Sequence, residues 1–408
     1  MDLPPLIPVH QRLVDQHITD VPGEVRRQLA LAGLAQRVKP GSRIAVTAGS
    51  RGIANIAAIL GAVVEELKSA GALPFVVPAM GSHGGATAEG QRAVLAEYGI
   101  SEESMGCPIL SDMSPVPLGC TPSGAAVFMD RNAHDADGVV VVARVKPHTS
   151  FRAPVESGLC KMMAVGLGKQ LGAESMHQHG LAGVVEEAGR VILATGKIVL
   201  GLAIVENAYE QTFLLEAVPP ERIPDRDRNL LKLAASLLPR IPFDPLDLLV
   251  VDWMGKNLSG SGMDYNIIGL WRRMEGVERR PSFKYIAVLN LSPESGGNAI
   301  GVGAADFTTR KLFNQIDFQK TYMNALTANA PGTAKIPVIL ENDREAMCVA
   351  LKAANPQGPP RVVRIHSTLH LADYHISPAL LEEARSYPDL ESAGPAQDMR
   401  FDAAGNLI

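Results

Sequence analysis

The chain has no stretch of about 18 apolar residues free of charges or glycine breaks, which leaves it without a candidate transmembrane helix. It has no long basic run either, and with a formal net charge of −5 it lacks the electrostatic footprint of a nucleic-acid binder. Its four cysteines, Cys107, Cys120, Cys160 and Cys348, are scattered and never fall into a C-x-x-C pair, which argues against a disulfide framework and a structural zinc site. Neither G-x-G-x-x-G nor G-x-x-x-x-G-K-[ST] occurs, so neither an ordinary dinucleotide fold nor a P-loop is supported, and no repeat of fixed period is present. The opening MDLPPLIPVHQRLVDQH has neither a basic n-region nor an apolar h-region, which predicts a cytoplasmic protein with no membrane partner.

What is present is ordinary in bulk and specific in detail. The 408 residues, 46% hydrophobic and 20% charged, suffice for two or three globular domains with a sizeable core and a small-molecule ligand. Residues 43–48, RIAVTA, read as a strand that meets Gly49-Ser50-Arg51-Gly52, with a helix over about 53–70. The pattern recurs. LPFVVPAM at 73–80 runs into Gly81-Ser82-His83-Gly84-Gly85 and a helix over about 87–98, and DGVVVVARV at 137–145 leads into PHTSF at 147–151.

Near-continuous Val/Ile/Ala strands alternating with helices predict an α/β fold with mostly parallel sheets covered on both faces. Ligands of such sheets sit beyond the carboxyl ends of the strands, so Arg51, His83 and His148 should converge. The proline-rich segment LLPRIPFDP at 237–245 marks a joint, which predicts an N-terminal α/β domain over 1–242 and a C-terminal α/β domain over 243–408. Strands of the second domain are expected at 246–255, 284–292, 336–342 and 361–369, and a tail from about residue 387 has the composition of a surface or frayed end.

Two histidines at neighbouring strand ends suit an acid and a base working on opposite faces of one substrate, because imidazole titrates near neutral pH. Taken singly, His83 also reads as a cap of the helix that follows and His148 as a loop residue. Ser50 and Arg51 at a helix start suit an anion, through free N–H groups and a guanidinium fork. Between 147 and 180 lies PHTSFRAPVESGLCKMMAVGLGKQLGAESMHQHG, in which Lys161 sits in an apolar helix expected at 159–167. Lysine is rarely buried. An amine with a pKa lowered by Leu159, Met162 and Met163 could link to a carbonyl or thiocarbonyl carbon, and His177 or His179 could ligate a metal. The alternatives are a snorkelling lysine and two solvated helix-end histidines. In the second domain Lys256, and more weakly Asn257, lie in a glycine-rich loop from which they could meet a substrate carboxylate; a solvated loop is the alternative.

Five strings resemble the nickel-dependent lactate racemase superfamily over nearly the whole length: AGSRGIANI (48–56), PAMGSHGGAT (78–87), RVKPHTSF (144–151), ESGLCKMMAVGLGKQLGAESMH (156–177) and GKNLSGSGMDYNIIG (255–269). The resemblance implies two α/β domains with an active-site cleft between them. It further implies a nickel-pincer nucleotide, a nickel-bearing pyridinium dithio-dicarboxylate mononucleotide attached covalently to Lys161. In this scheme Ser50, Arg51 and Gly158 contact the cofactor, His177 is the nickel ligand with His179 as the alternative, and His83 and His148 are the acid/base pair. The implied activity is an isomerase, a racemase or epimerase of 2-hydroxy acids that works by reversible hydride transfer and depends transiently on cofactor-synthesis enzymes. Besides a longer interval from His148 to Lys161 than in lactate racemase, the chain departs from the family in two motifs. The Asp-x-Thr-Arg turn appears as Ala48-Gly49-Ser50-Arg51, and Ser-Gly-Gly-x-Lys as Ser157-Gly158-Leu159-Cys160-Lys161. The first change points to a larger or more polar hydroxy acid than lactate. Dehydration or redox chemistry on the same cofactor, and a non-catalytic anion- or nucleotide-binding protein, are the competing readings.

Overall fold

The computed structural model describes residues 2–50 and 52–408; Arg51, one of the expected anion-binding residues, lies outside the described residues. The chain forms two units, residues 14–238 and residues 1–13 with 239–408. The change at 238/239 falls inside the proline-rich segment. The expected 1–242 and 243–408 division differs from this one chiefly in the first 13 residues, because the opening strand β1 (Ile7–Gln11) pairs with strands of the C-terminal unit.

The unit of residues 14–238 is built on a five-stranded sheet. Its strands are β2 (Arg43–Ala48), β3 (Leu73–Pro78), β6 (Gly138–Arg144), β7 (Ile198–Glu206) and β8 (Thr212–Val218), in the order β3-β2-β6-β7-β8. A separate antiparallel hairpin, β4 (Pro115–Cys120) and β5 (Ala126–Asp130), interrupts the series. All pairings from β3 to β7 are parallel, and β8 is antiparallel to β7. The valine run of β6 shows why the sheet is covered twice. Val139, Val141 and Ala143 enter one core cluster with Leu159, Met163 and Val185, while Val140 and Val142 enter another with Ile59, Leu60 and Val63. Alternation with period two sends successive side chains to opposite faces, and each fully buried valine contributes about 1.5–3 kcal/mol.

The helices of this unit include α1 (Val21–Leu31), α2 (Ile56–Ser69), α3 (Ala88–Glu97), α4 (Lys169–Gln178), α5 (Leu181–Leu193) and α6 (Ile223–Leu237). α2 buries Ile59, Leu60, Val63, Val64 and Leu67, the i, i+3/i+4 stripe of an amphipathic helix. One expectation fails. Residues 159–167 are not an α-helix: a single α-turn, Leu159–Lys161, passes into a π-helical segment, Met162–Leu167. π-segments arise where the regular ladder is interrupted, often at functional sites.

The other unit has an eight-stranded mixed sheet. After β1 come β9 (Leu246–Met254), β10 (Phe283–Leu291), β11 (Phe307–Thr309), β12 (Val338–Leu340), β13 (Val362–Ile365), β14 (Asp373–Ile376) and β15 (Leu390–Ser392). Their order is β12-β11-β10-β9-β13-β14-β1-β15, with β9 to β13 parallel and the β14, β1 and β15 pairings antiparallel. Helices α7 (Phe318–Thr327) and α8 (Asp343–Ala354) belong to this unit. The tail is not frayed. β15 pairs with β1, Gln397 bonds Leu6, and Phe401 and Leu407 pack on the cluster of Met347 and Leu351. No helix among the described residues is long and apolar enough to cross a membrane.

Candidate active site

The strand order places a switch point in each sheet. From β2 the chain moves to β3 on one side and then returns across β2 to β6 on the other, which opens a crevice at the carboxyl ends of β2 and β6. The turns after β2, β3 and β6 carry Ser50, His83 and His148 at this edge of the sheet; of the expected trio Arg51, His83 and His148, Arg51 lies outside the described residues. In the second sheet β10 lies on one side of β9 and β13 on the other, and the turn after β9 carries Lys256 and Asn257.

Contacts tie the turns of Ser50 and His83 to each other and to the segment after Lys161. Ser50 Oγ hydrogen-bonds His83 Nδ1, and Tyr98 Oη donates to the Ser50 carbonyl at 3.1 Å. The His83 turn is bonded to the π-segment through Gly81 N–H to the Gly166 carbonyl at 3.2 Å. The turn of Gly49 runs close to the segment after Lys161: a Cβ at 49 would lie 3.1 Å from Cε of Met162, the residue next to Lys161. His83 is exposed and does not cap α3. Thr87 does that, its Oγ1 accepting Gly90 N–H at 3.0 Å.

His148 is half-buried, and its ring lies 4.5 Å from that of Phe151. Ser150 N–H donates to its Nδ1 at 3.1 Å, so the neutral ring carries its proton on Nε2. His83 is different, because the Ser50 hydroxyl can donate to Nδ1 or accept from it and so permits either tautomer. The loop holding His148 is organised by Glu156, a buried residue the sequence reading passed over. Its carboxylate accepts the N–H of His148 at 2.6 Å and of Ala153 at 3.2 Å, with Arg152 3.4 Å away. Burial raises the Glu156 pKa against the pull of those donors and of nearby Arg152 and Lys161.

Lys161 is half-buried at the end of its α-turn. That turn is capped from a distance by Asp227 on α6, whose carboxylate accepts Leu159 N–H at 3.0 Å and Cys160 N–H at 2.8 Å. Desolvation pushes Asp227 up to about 6, with the two amides pulling the other way. Gly158 buries its Cα against this carboxylate: a Cβ would sit 2.7 Å from Asp227 Oδ1. Gly158 is thus explained by packing. The wholly buried lysine is not Lys161 but Lys169, eight residues on, at 0% exposure. It lies at a left-handed φ of 54°, a placement costing roughly 1–2 kcal/mol for a non-glycine residue. Nothing in the apolar periodicity singled it out.

His177 is exposed in the last turn of α4, and His179, also exposed, bonds the Ser175 carbonyl through Nδ1 at 2.9 Å. Lys256 Nζ donates to Asn324 Oδ1 of α7 at 2.6 Å, and Asn257 Oδ1 accepts from Ser292 Oγ at 2.5 Å. Near them in the same sheet, the turn after β13 holds His366 and His370 with rings 5.3 Å apart, residues the sequence reading did not nominate. Among the described residues no group of three or more His, Cys, Asp or Glu could hold a metal.

Residues 15–184 match the family model of the lactate racemase N-terminal domain. Two solved structures are similar in fold. The lactate racemase apoprotein from Thermoanaerobacterium thermosaccharolyticum is 13% identical, with a TM-score of 0.53 over 89% of this chain and 98% of that one. A structural-genomics target protein from Thermotoga maritima is also 13% identical, with a TM-score of 0.51 over 88% and 99%. No curated protein matches the sequence.

Proposed function

We propose that this chain, whose residues 15–184 match the family model of the lactate racemase N-terminal domain, is a racemase or epimerase of 2-hydroxy acids that uses a nickel-pincer nucleotide held on Lys161. The observation that supports it most is the meeting of the turns after β2 and β3 with the segment that follows Lys161 at the carboxyl edge of one sheet. The donor set fits the cofactor. Protein side chains alone do not assemble a metal site among the described residues, whereas a group that brings its own sulfur and carbon donors needs one imidazole, and His177 is proposed for it. When bound, such a cofactor supplies a reversible hydride acceptor.

The chain's own residues then divide the remaining work. Lys161 anchors, from a turn fixed by Asp227. Ser50 and Arg51 are proposed to bind the cofactor's anionic groups, and Gly158 to contact the cofactor while allowing the close approach of Asp227 to the turn of Lys161. His83 is proposed to take or return the hydroxyl proton at one face of the substrate carbon and His148 at the other. His83 can start as a base in the tautomer in which Ser50 accepts its Nδ1–H, while His148 starts with its proton on Nε2. Lys256 and Asn257 are proposed as carboxylate-binding residues. A cytoplasmic location is proposed alongside this reading.

Intact-protein mass spectrometry after co-expression with cofactor-synthesis enzymes tests the proposal. A nucleotide-sized adduct with nickel, lost in Lys161→Ala, is expected; its absence from the wild type, or its survival in the variant, overturns covalent attachment. Turnover of one enantiomer in deuterated water should racemise it with the α-hydrogen retained. Exchange of that hydrogen would instead indicate proton abstraction.

A further inference from the structure

The chain contains a buried lysine that the proposed chemistry does not use. Lys169, Gln91 and Asp130 all have 0% exposure, and they come from three separate elements: the start of α4, α3 and the end of β5. Lys169 Nζ donates to the Pro78 carbonyl at 2.5 Å and to Gln91 Oε1 at 3.1 Å, with Asp130 Oδ2 at 3.0 Å as its counter-charge. Gln91 Nε2 in turn donates to the Gly81 carbonyl at 2.8 Å and the His83 carbonyl at 3.2 Å. One network therefore holds three carbonyls of residues 78–83, the end of β3 and the turn that presents His83.

The orientation of the Gln91 amide is forced. An ammonium has only donors and a peptide carbonyl only acceptors, so a flipped amide would set its NH2 against Lys169 and its oxygen against two carbonyls. An unpaired buried lysine is strongly disfavoured, so the amine stays where Pro78, Gln91 and Asp130 meet it. The left-handed φ at Lys169 is accommodated by those same contacts.

We propose that Lys169 and Gln91 are positioning residues for His83: the ammonium fixes the amide, the amide clamps the carbonyls on either side of Ser82, and the clamped turn holds the imidazole against Ser50. The role of His83 as an acid/base rests on the function proposed above; the clamp does not. The test therefore starts with the cofactor-free protein. Histidine-labelled protein gives a ring Nδ1 resonance for His83, assigned by its loss in His83→Gln, that reports the bond to Ser50. In Lys169→Met and Gln91→Glu this resonance is expected to move to that of an unrestrained imidazole, while that of His10, bonded to Asp373 in the other unit, stays in place. An unchanged His83 resonance in variants that have only lost heat stability overturns the proposal. If Lys169→Met does not fold, Gln91→Met, which keeps the side-chain volume and removes both donors, decides by the same reading. In loaded enzyme the variants should lose roughly tenfold or more in kcat with little change in KM. A wild type that racemises no hydroxy acid counts against the function proposed above and leaves the ring measurement to judge the clamp.

Discussion

Asp227 is a carboxylate held in the core by two backbone amides, and its chemistry has consequences for stability as well as for Lys161. Its folded-state pKa of about 6 lies above the ordinary 3.8, so between those values the folded chain keeps a proton that the unfolded chain has released. The stability this group contributes is therefore largest below about pH 4 and is lost as pH rises through about 6, on the order of 3 kcal/mol in full. In Asp227→Asn that slope disappears. Denaturant unfolding at a series of pH values should show wild type gaining on the variant as pH falls through about 6, with a constant difference above about 7; parallel curves throughout would remove the argument. Gly158→Ala tests the same contact from the other side. The added Cβ, 2.7 Å from Asp227 Oδ1, must displace the carboxylate from the amides of Leu159 and Cys160. A loss of about 2–3 kcal/mol in unfolding free energy is expected, together with a fall in adduct formation at Lys161.

At the scale of elements, the loop between β6 and the α-turn of Lys161 depends on one carboxylate. Glu156 gathers the amides of His148 and Ala153 and the guanidinium of Arg152 in a setting where burial already raises its pKa. Glu156→Gln keeps the shape and replaces an all-acceptor group with one that also carries donors. Amide exchange at His148 and Ala153 should accelerate by about tenfold, the equivalent of one weakened hydrogen bond, while exchange within β6 stays as in the wild type. Unchanged exchange at both amides would show that the loop is held by other contacts. This loop also marks where sequence reading stopped. The strand before it was legible because a run of buried valines has one simple explanation in a parallel sheet. The π-segment after it was not, since an apolar stretch with a lysine reads equally as an ordinary helix. Lys169 was hidden for a related reason. Its partners Gln91 and Asp130 stand 78 and 39 positions away, the latter on a hairpin outside the main sheet, and no local pattern links them to it.

Across the whole chain, both units follow one rule: a central parallel strand with its neighbours added on opposite sides, and polar glycine turns at its carboxyl end. That rule made His83, His148 and Lys256 legible as strand-end residues before any contact was known. It says nothing about β1, a five-residue strand of mixed polarity whose partners lie at the far end of the chain, 363 positions away in the His10–Asp373 pair. β1 sits between β14 and β15, and it buries Ile7 and Val9 in the cluster of Phe243, Tyr374 and Ile376. Each of the two side chains contributes about 1.5–3 kcal/mol, and β15 has β1 as its one neighbour in the sheet order. Removal of residues 1–13 should therefore act on the C-terminal unit, although the cut is at the N-terminus. Hydrogen exchange should rise first at 390–392 and 373–376, and the unit of 239–408 should unfold at a lower denaturant concentration, with β2, β3 and β6 keeping their protection. Loss of protection in β2 and β3 instead would mean that the opening strand supports the N-terminal unit, and the division of the chain at residue 13 would have to be redrawn.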